Sequence, residues 1–144
     1  MSEVPIVIAS DHAGYEMKQV LKRELQSLGI PLEDLGVHDT DAVDYPDMAD
    51  ALAAAVSASD GRRGLLLCGT GIGASIAANR HRRVRAALCH SAETARMARQ
   101  HNDANVLVLG GRVIDPETAK ECLRIFLDTA FDGGRHIPRV AKLA

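Results

Sequence analysis

The chain contains no tryptophan, and its only aromatic residues are two tyrosines and two phenylalanines. A chain so poor in rings offers no platform for stacking nucleic-acid bases. It also lacks an excess of either charge. Seventeen Lys and Arg stand against nineteen Asp and Glu, for a formal net charge of −2. That balance gives no general attraction to nucleic acid or to an anionic membrane. Cysteine is sparse and odd in number, with Cys68, Cys89 and Cys122 only. No CxxC pair or Cys/His zinc spacing occurs. Cys89 and Cys122 read as small buried apolar residues. Long apolar runs are missing too. Val4 to Ala9 is far too short to cross a bilayer, and no basic stretch leads into an apolar secretory segment. The expectation is a cytoplasmic protein with reduced thiols and no membrane partner.

At 144 residues, 47% apolar and 25% charged, the sequence has the makings of one soluble domain. A chain of this length buries roughly two-thirds of its unfolded surface and needs no disulfide or metal staple. Apolar runs alternate with amphipathic ones. Strands are predicted at Val4–Ala9, Ile30–Leu35, Gly64–Leu67, Val84–Cys89 and Val106–Leu109, with Pro31 pushing the second toward a sheet edge. Helices are predicted at Tyr15–Leu28, Tyr45–Ala58, Ile72–Asn79, Ala92–Gln100 and from Pro116 to about Phe131. Continuous apolar strands in strict alternation with helices imply a Rossmann-like three-layer α/β sandwich. Its five-stranded parallel sheet would carry helices on both faces. The segment from about residue 132 (DGGRHIPRVAKLA) reads as a C-terminal arm of the single domain spanning 1–144.

In such folds ligands bind beyond the carboxyl ends of the strands. The residues there are Ser10-Asp11-His12, Cys68-Gly69-Thr70, His90-Ser91 and Gly110-Gly111-Arg112. The stretch LLLCGTGIGAS at 65–75 runs a buried strand into a cysteine and then a glycine loop. Three chemistries compete for it. A dinucleotide site needs an acid at the end of the following strand, but no acid occurs there before Glu93. A cysteine phosphatase needs an arginine six positions after the thiol, and Ala74 occupies that place. The third reading is an anion cradle, in which loop N–H groups favour the Cys68 thiolate and receive a developing oxyanion. That pair suits proton abstraction beside a carbonyl.

The other polar clusters have plain explanations beside chemical ones. Asp11-His12 could cap the first helix, and Asp44-Tyr45-Pro46-Asp47 could start the second. His101-Asn102-Asp103 closes the fourth helix, where an imidazole can cap or serve as an acid near neutral pH. Arg135 and Arg139, four apart, suit one phosphate or a solvated tail. Arg80, Arg82, Arg83 and Arg85 read as solvated surface. His12, His101 and His136 lie on separate segments, so no metal-ligand cluster is expected.

SDHAGYEMK, DYPDMA, LLLCGTGIGASIAANR, RQHNDANVLVLGGRV and GGRHIPRV together resemble the type B ribose-5-phosphate isomerases and their galactose- and allose-6-phosphate relatives. The resemblance runs from about Ile6 to Val140. It implies cofactor-free and metal-free aldose–ketose isomerisation of a sugar phosphate through a cis-enediol(ate). Cys68 matches the family's base. Some members carry serine there and use a glutamate from the loop, whereas here Ser75 ends the loop and the cysteine is present. His101 matches the acid that opens the sugar ring. Gly69, Thr70, Gly71, Ile72 and Gly73 match the enediolate loop, with Thr70 giving its hydroxyl. Asp11, His12, Tyr45 and Asn102 match sugar-contacting positions, and Arg112, Arg135 and Arg139 match phosphate-binding ones. The resemblance also implies active sites shared between subunits of a homodimer or a dimer of dimers. It leaves the sugar's chain length open, with four- and six-carbon phosphates as alternatives. A non-catalytic sugar-phosphate sensor would not need both Cys68 and His101.

Overall fold

The computed structural model describes residues 4–144. A single parallel sheet holds β1 (Ile6–Ser10), β2 (Leu32–Asp34), β3 (Gly64–Cys68), β4 (Ala86–Leu88) and β5 (Val106–Gly110), in the order β2-β1-β3-β5-β4. Helices α1 (Tyr15–Ser27), α4 (Ala92–Asn102) and α5 (Pro116–Asp128) cover one face. Helices α2 (Tyr45–Ser57) and α3 (Ile72–Ala78) cover the other. This is the three-layer Rossmann-like sandwich expected from the sequence. The alternating side chains of β1 divide between the layers. Ile6 and Ile8 join the cluster under α1 and α5, and Val7 and Ala9 join the one under α2.

Element boundaries shift where side chains compete for backbone groups. Val4 is exposed and Pro5 lacks an N–H, so β1 begins at Ile6 and runs on through Ser10. The fourth strand is shorter than the apolar run suggests. The Arg85 N–H donates to Asn105 Oδ1 at 2.7 Å instead of to β5, so the ladder starts at Ala86 and the strand is Ala86–Leu88. α4 runs two residues past Gln100 and stops where Asp103 turns left-handed, at φ 47°. α5 stops at Asp128, where Thr129 turns extended. The edge position expected of β2 is present.

The winding opens a crevice. The chain leaves β1 for α1 on one face and leaves β3 for α3 on the other. The carboxyl ends of these neighbouring strands are therefore not roofed by a common helix.

Candidate active site

Short backbone bonds hold the loops beyond β1, β3 and β5 together. The Asp11 N–H donates to the Leu67 carbonyl at 3.2 Å, Gly111 N–H to Cys68 at 2.8 Å and Arg112 N–H to Gly69 at 2.9 Å. Asp11, His12, Cys68, the glycine loop and Arg112 are thereby fixed at one edge of the sheet. Asp11 is buried, and its Oδ1 accepts the Gly14 N–H at 3.0 Å, so it caps the 3₁₀ turn His12–Gly14 that leads into α1 rather than α1 itself, whose own N-cap is Gly14. The His12 Nδ1 accepts the Val43 N–H at 3.2 Å, which leaves Nε2 to carry the hydrogen of the neutral ring. His12 and Arg112 line a groove of about 500 Å³ with Ala13, Glu16, Thr40 and Gly111.

Cys68 is the last residue of β3 and is buried. Its Sγ accepts the Gly71 N–H at 3.1 Å, a bond that supports negative charge on sulfur. Gly71 adopts φ +82°, and a Cβ there would lie 2.5 Å from Leu88 Cδ1. A side chain at Gly73 would meet the Tyr45 ring at 2.4 Å, so the phenol lies directly over the loop. The Arg112 side chain lies against Gly69, and the Thr70 Oγ1 accepts the Ile72 N–H at 3.2 Å. α3 has only seven residues, so the cradle consists of loop N–H groups rather than a long helix dipole. Ser75 is occupied locally, its hydroxyl donating to the Ile72 carbonyl at 2.7 Å.

The remaining site residues lie at the other end of the sheet. α4 starts beyond β4 and runs antiparallel to the strands, so its last turn returns to their amino ends. There the Gly64 N–H, at the start of β3, donates to the Asn105 carbonyl. Five strand residues at roughly 3.3 Å each therefore separate His101 and Asn102 from Cys68. The C-terminal segment lies at this same edge. It forms a 3₁₀ turn at Gly134–His136 and α6 (Ile137–Ala141), and His136 is buried against its own domain. The His136 and His101 rings stack at 4.6 Å with planes 14° apart. The exposed Arg135 and Arg139 lie close enough to act on the His136 charge. The candidate residues thus fall into two groups: Asp11, His12, Tyr45, Cys68–Gly73 and Arg112 at the carboxyl edge, and His101, Asn102, Arg135 and Arg139 at the amino edge.

One expectation needs correction. His101 and His136, far apart in sequence, do meet, and with Asp132 they offer ligand atoms within 4.8 Å of one another. Near-parallel rings send their in-plane lone pairs side by side rather than onto one point, so this group is a stack, not a preformed metal centre. Burial pushes the thiols of Cys89 and Cys122 up to about 11, consistent with inert core residues. The basic stretch is solvated only in part. Arg82 and Arg83 are exposed, but the half-buried Arg85 donates to the Asp103 carbonyl at 2.9 Å. The sequence reading gave no role to His136 or to the Val43 N–H. A histidine between two candidate phosphate arginines was a usable signal for the first, and none existed for the second.

A doubly wound α/β protein with a thiol held by a glycine loop at the switch between strands is built for proton chemistry at the carboxyl edge. The chain belongs to the Ribose/Galactose Isomerase family, whose model matches residues 6–143. The crystal structure of a ribose 5-phosphate isomerase from Thermotoga maritima is 49% identical, with a TM-score of 0.95 over 99% of this chain and 98% of that one. Ribose-5-phosphate isomerase B from Mycoplasma genitalium, solved with bound ribulose-5-phosphate, is 42% identical with a TM-score of 0.93, over 96% and 93%. A D-erythrulose-4-phosphate isomerase from Pectobacterium atrosepticum is 42% identical over 139 residues, 96% of this chain and 91% of its own length.

Proposed function

We propose that the chain interconverts ribose 5-phosphate and ribulose 5-phosphate through a cis-enediolate, without a cofactor. The observation that carries the substrate is the Mycoplasma genitalium relative, which holds ribulose-5-phosphate on the same fold at 42% identity. In this reading His101 protonates the ring oxygen of the furanose as the anomeric hydroxyl loses its proton, which releases the aldehyde. The Cys68 thiolate takes the proton from C2, and the bond electrons move onto O1. The N–H groups of Gly69 to Gly73 and the Thr70 hydroxyl receive that charge. The Cys68 thiol returns its proton to C1, and the O2 proton passes to O1, leaving the ketose. Asp11, His12, Tyr45 and Asn102 hold the sugar hydroxyls, while Arg112, Arg135 and Arg139 grip the phosphate.

Because Cys68 and His101 belong to opposite edges of the sheet, this chemistry needs two chains. A two-fold dimer, alone or as half of a dimer of dimers, would set the amino edge of each copy against the carboxyl edge of the other and complete two equivalent sites. Ile72 and Ile76, exposed on α3 beside the glycine loop, give such a contact an apolar surface. We place the enzyme in the cytoplasm, where its three free cysteines stay reduced. No helix of the described residues is long and apolar enough to cross a membrane.

The Pectobacterium relative supports a second reading, with a four-carbon substrate. A coupled assay comparing kcat/KM for four-, five- and six-carbon sugar phosphates decides between them; a preference for any sugar but ribose 5-phosphate would overturn the first. Site sharing is tested by mixing the inactive variants Cys68→Ala and Arg139→Ala. After random subunit exchange about half the dimers are mixed, each with one intact site, so activity should return to about a quarter of wild type. No recovery after confirmed exchange would refute the shared site.

A further inference from the structure

We propose that His136 is the positioning residue for ring opening: its imidazole face fixes the plane in which His101 presents its proton to the sugar. The inference rests on the reading of His101 as the ring-opening acid.

His101 occupies the last turn of α4 and is only half-buried. A side chain there would ordinarily sample several rotamers. Among the described residues neither His101 nor His136 makes a side-chain hydrogen bond, so the ring of His101 is set by packing, with the stack at 4.6 Å across its face and the Asp132 carboxylate beside it. His136 is itself braced. The Phe131 ring tilts against it at 6.5 Å and 56°, the His136 N–H donates to the Gly133 carbonyl, and the Asp132 N–H ties the segment to the Gln100 carbonyl at the end of α4. The platform is thus tied to the same helical turn that carries the acid.

The electrostatics suit the task. Two cationic imidazoles at this separation would repel, so one ring must stay neutral while the other is protonated. Burial, His101 and the cationic Arg135 and Arg139 hold His136 below the ordinary imidazole range, against the opposing effect of the exposed Asp132. A protonated His101 over a neutral aromatic face is the attractive combination. Arg135 and Arg139 flank His136 in sequence, so the segment that places the acid is also the one that offers the phosphate grip. The ring of the substrate and its phosphate would then be located by one rigid unit.

The test compares His136→Phe, which keeps a flat neutral face, with His136→Leu, which does not. Each is assayed on ribose 5-phosphate and on its 4-deoxy analogue, which has no O4 with which to close a ring. His136→Leu should lose roughly 10- to 100-fold in kcat/KM on ribose 5-phosphate and under about 3-fold on the analogue. His136→Phe should stay within about 3-fold on both. Equal losses on both substrates, or a phenylalanine variant as impaired as the leucine one, would overturn the proposal. His101→Asn run in parallel separates the two ideas. If it loses selectively on ribose 5-phosphate while His136→Leu does not, only the positioning role fails. If it loses equally on both substrates, the acid reading falls and the proposal with it.

Discussion

Replacing Gly71 by alanine should cost both stability and turnover, and Gly29 provides the control that separates the causes. Both glycines sit in the left-handed region, at φ +82° and φ +70°. An alanine there costs about 1–2 kcal/mol, offset by roughly 0.5 kcal/mol of lost freedom in the unfolded chain. At Gly29 nothing lies within 4 Å of the added Cβ, so Gly29→Ala should cost about 1 kcal/mol in total. At Gly71 the Cβ would stand 2.5 Å from Leu88 Cδ1, 3.2 Å from the Leu109 carbonyl carbon and 3.3 Å from the Gly110 nitrogen. The leucine methyl can move, but the β5 backbone cannot, so overpacking adds about 1–3 kcal/mol. The expected total for Gly71→Ala is about 2–4 kcal/mol, read as a fall in urea midpoint at unchanged slope. The same displacement carries the Gly71 N–H away from the Cys68 sulfur, so kcat should fall at least ~10-fold in Gly71→Ala and hold in Gly29→Ala. Equal destabilisation of the two variants would refute the steric argument. Full kcat in Gly71→Ala would refute the role of its N–H.

Three further outcomes are expected. Cys68→Ala should melt within a few degrees of wild type yet lose about 100- to 10,000-fold in kcat, and retention of a tenth or more would remove Cys68 as the base. EDTA should leave activity unchanged, because the stacked His101 and His136 do not converge on an ion; loss on chelation with return on adding a divalent metal would contradict this. Asp34 is partly buried, which by itself would raise its carboxyl, but bonds from Lys18, the Gly36 N–H and Lys22 outweigh this and hold it below the ordinary 3.8. A depressed carboxylate contributes stability that is present above 3.8 and lost as pH falls through the lower folded value, so urea midpoints should decline in that acid window and Asp34→Asn should flatten the decline. Asp34→Asn should also lower stability at neutral pH by about 3–5 kcal/mol, since it removes the counter-charge of the fully buried Lys18 ammonium, which keeps only neutral acceptors such as the Val37 carbonyl. An unchanged acid slope in the variant would assign the decline to other groups.

Much of this molecule is readable along the chain because its signals are local. Buried parallel strands are continuous apolar runs, and helices repeat at their own period, so every element appears near its expected place. Boundaries drift where a backbone conformation ends a helix, as at Asp103 and Thr129, or where a distant side chain such as Asn105 takes a backbone group from the ladder. The thiol and its cradle are legible for the same reason, as Cys68 and Gly71 are three residues apart and bond directly. The stack of His101 on His136 was not legible, because nothing in either neighbourhood encodes a contact across 35 residues of sequence.

The sequence by itself determined the alternation of strands and helices, the glycine loop on the thiol, and the list of candidate site residues. Their spacing along the chain specifies local backbone and the groups it presents. Only the tertiary structure decided that these residues fall into two sets at opposite edges of one sheet. A helix that returns antiparallel to its strands must end where they begin, so His101 finishes on the far side of the sheet from Cys68. The same packing turned a glycine-led tail into a braced platform, because His136 gains burial and a ring partner only once α4 and α5 have brought their last turns together.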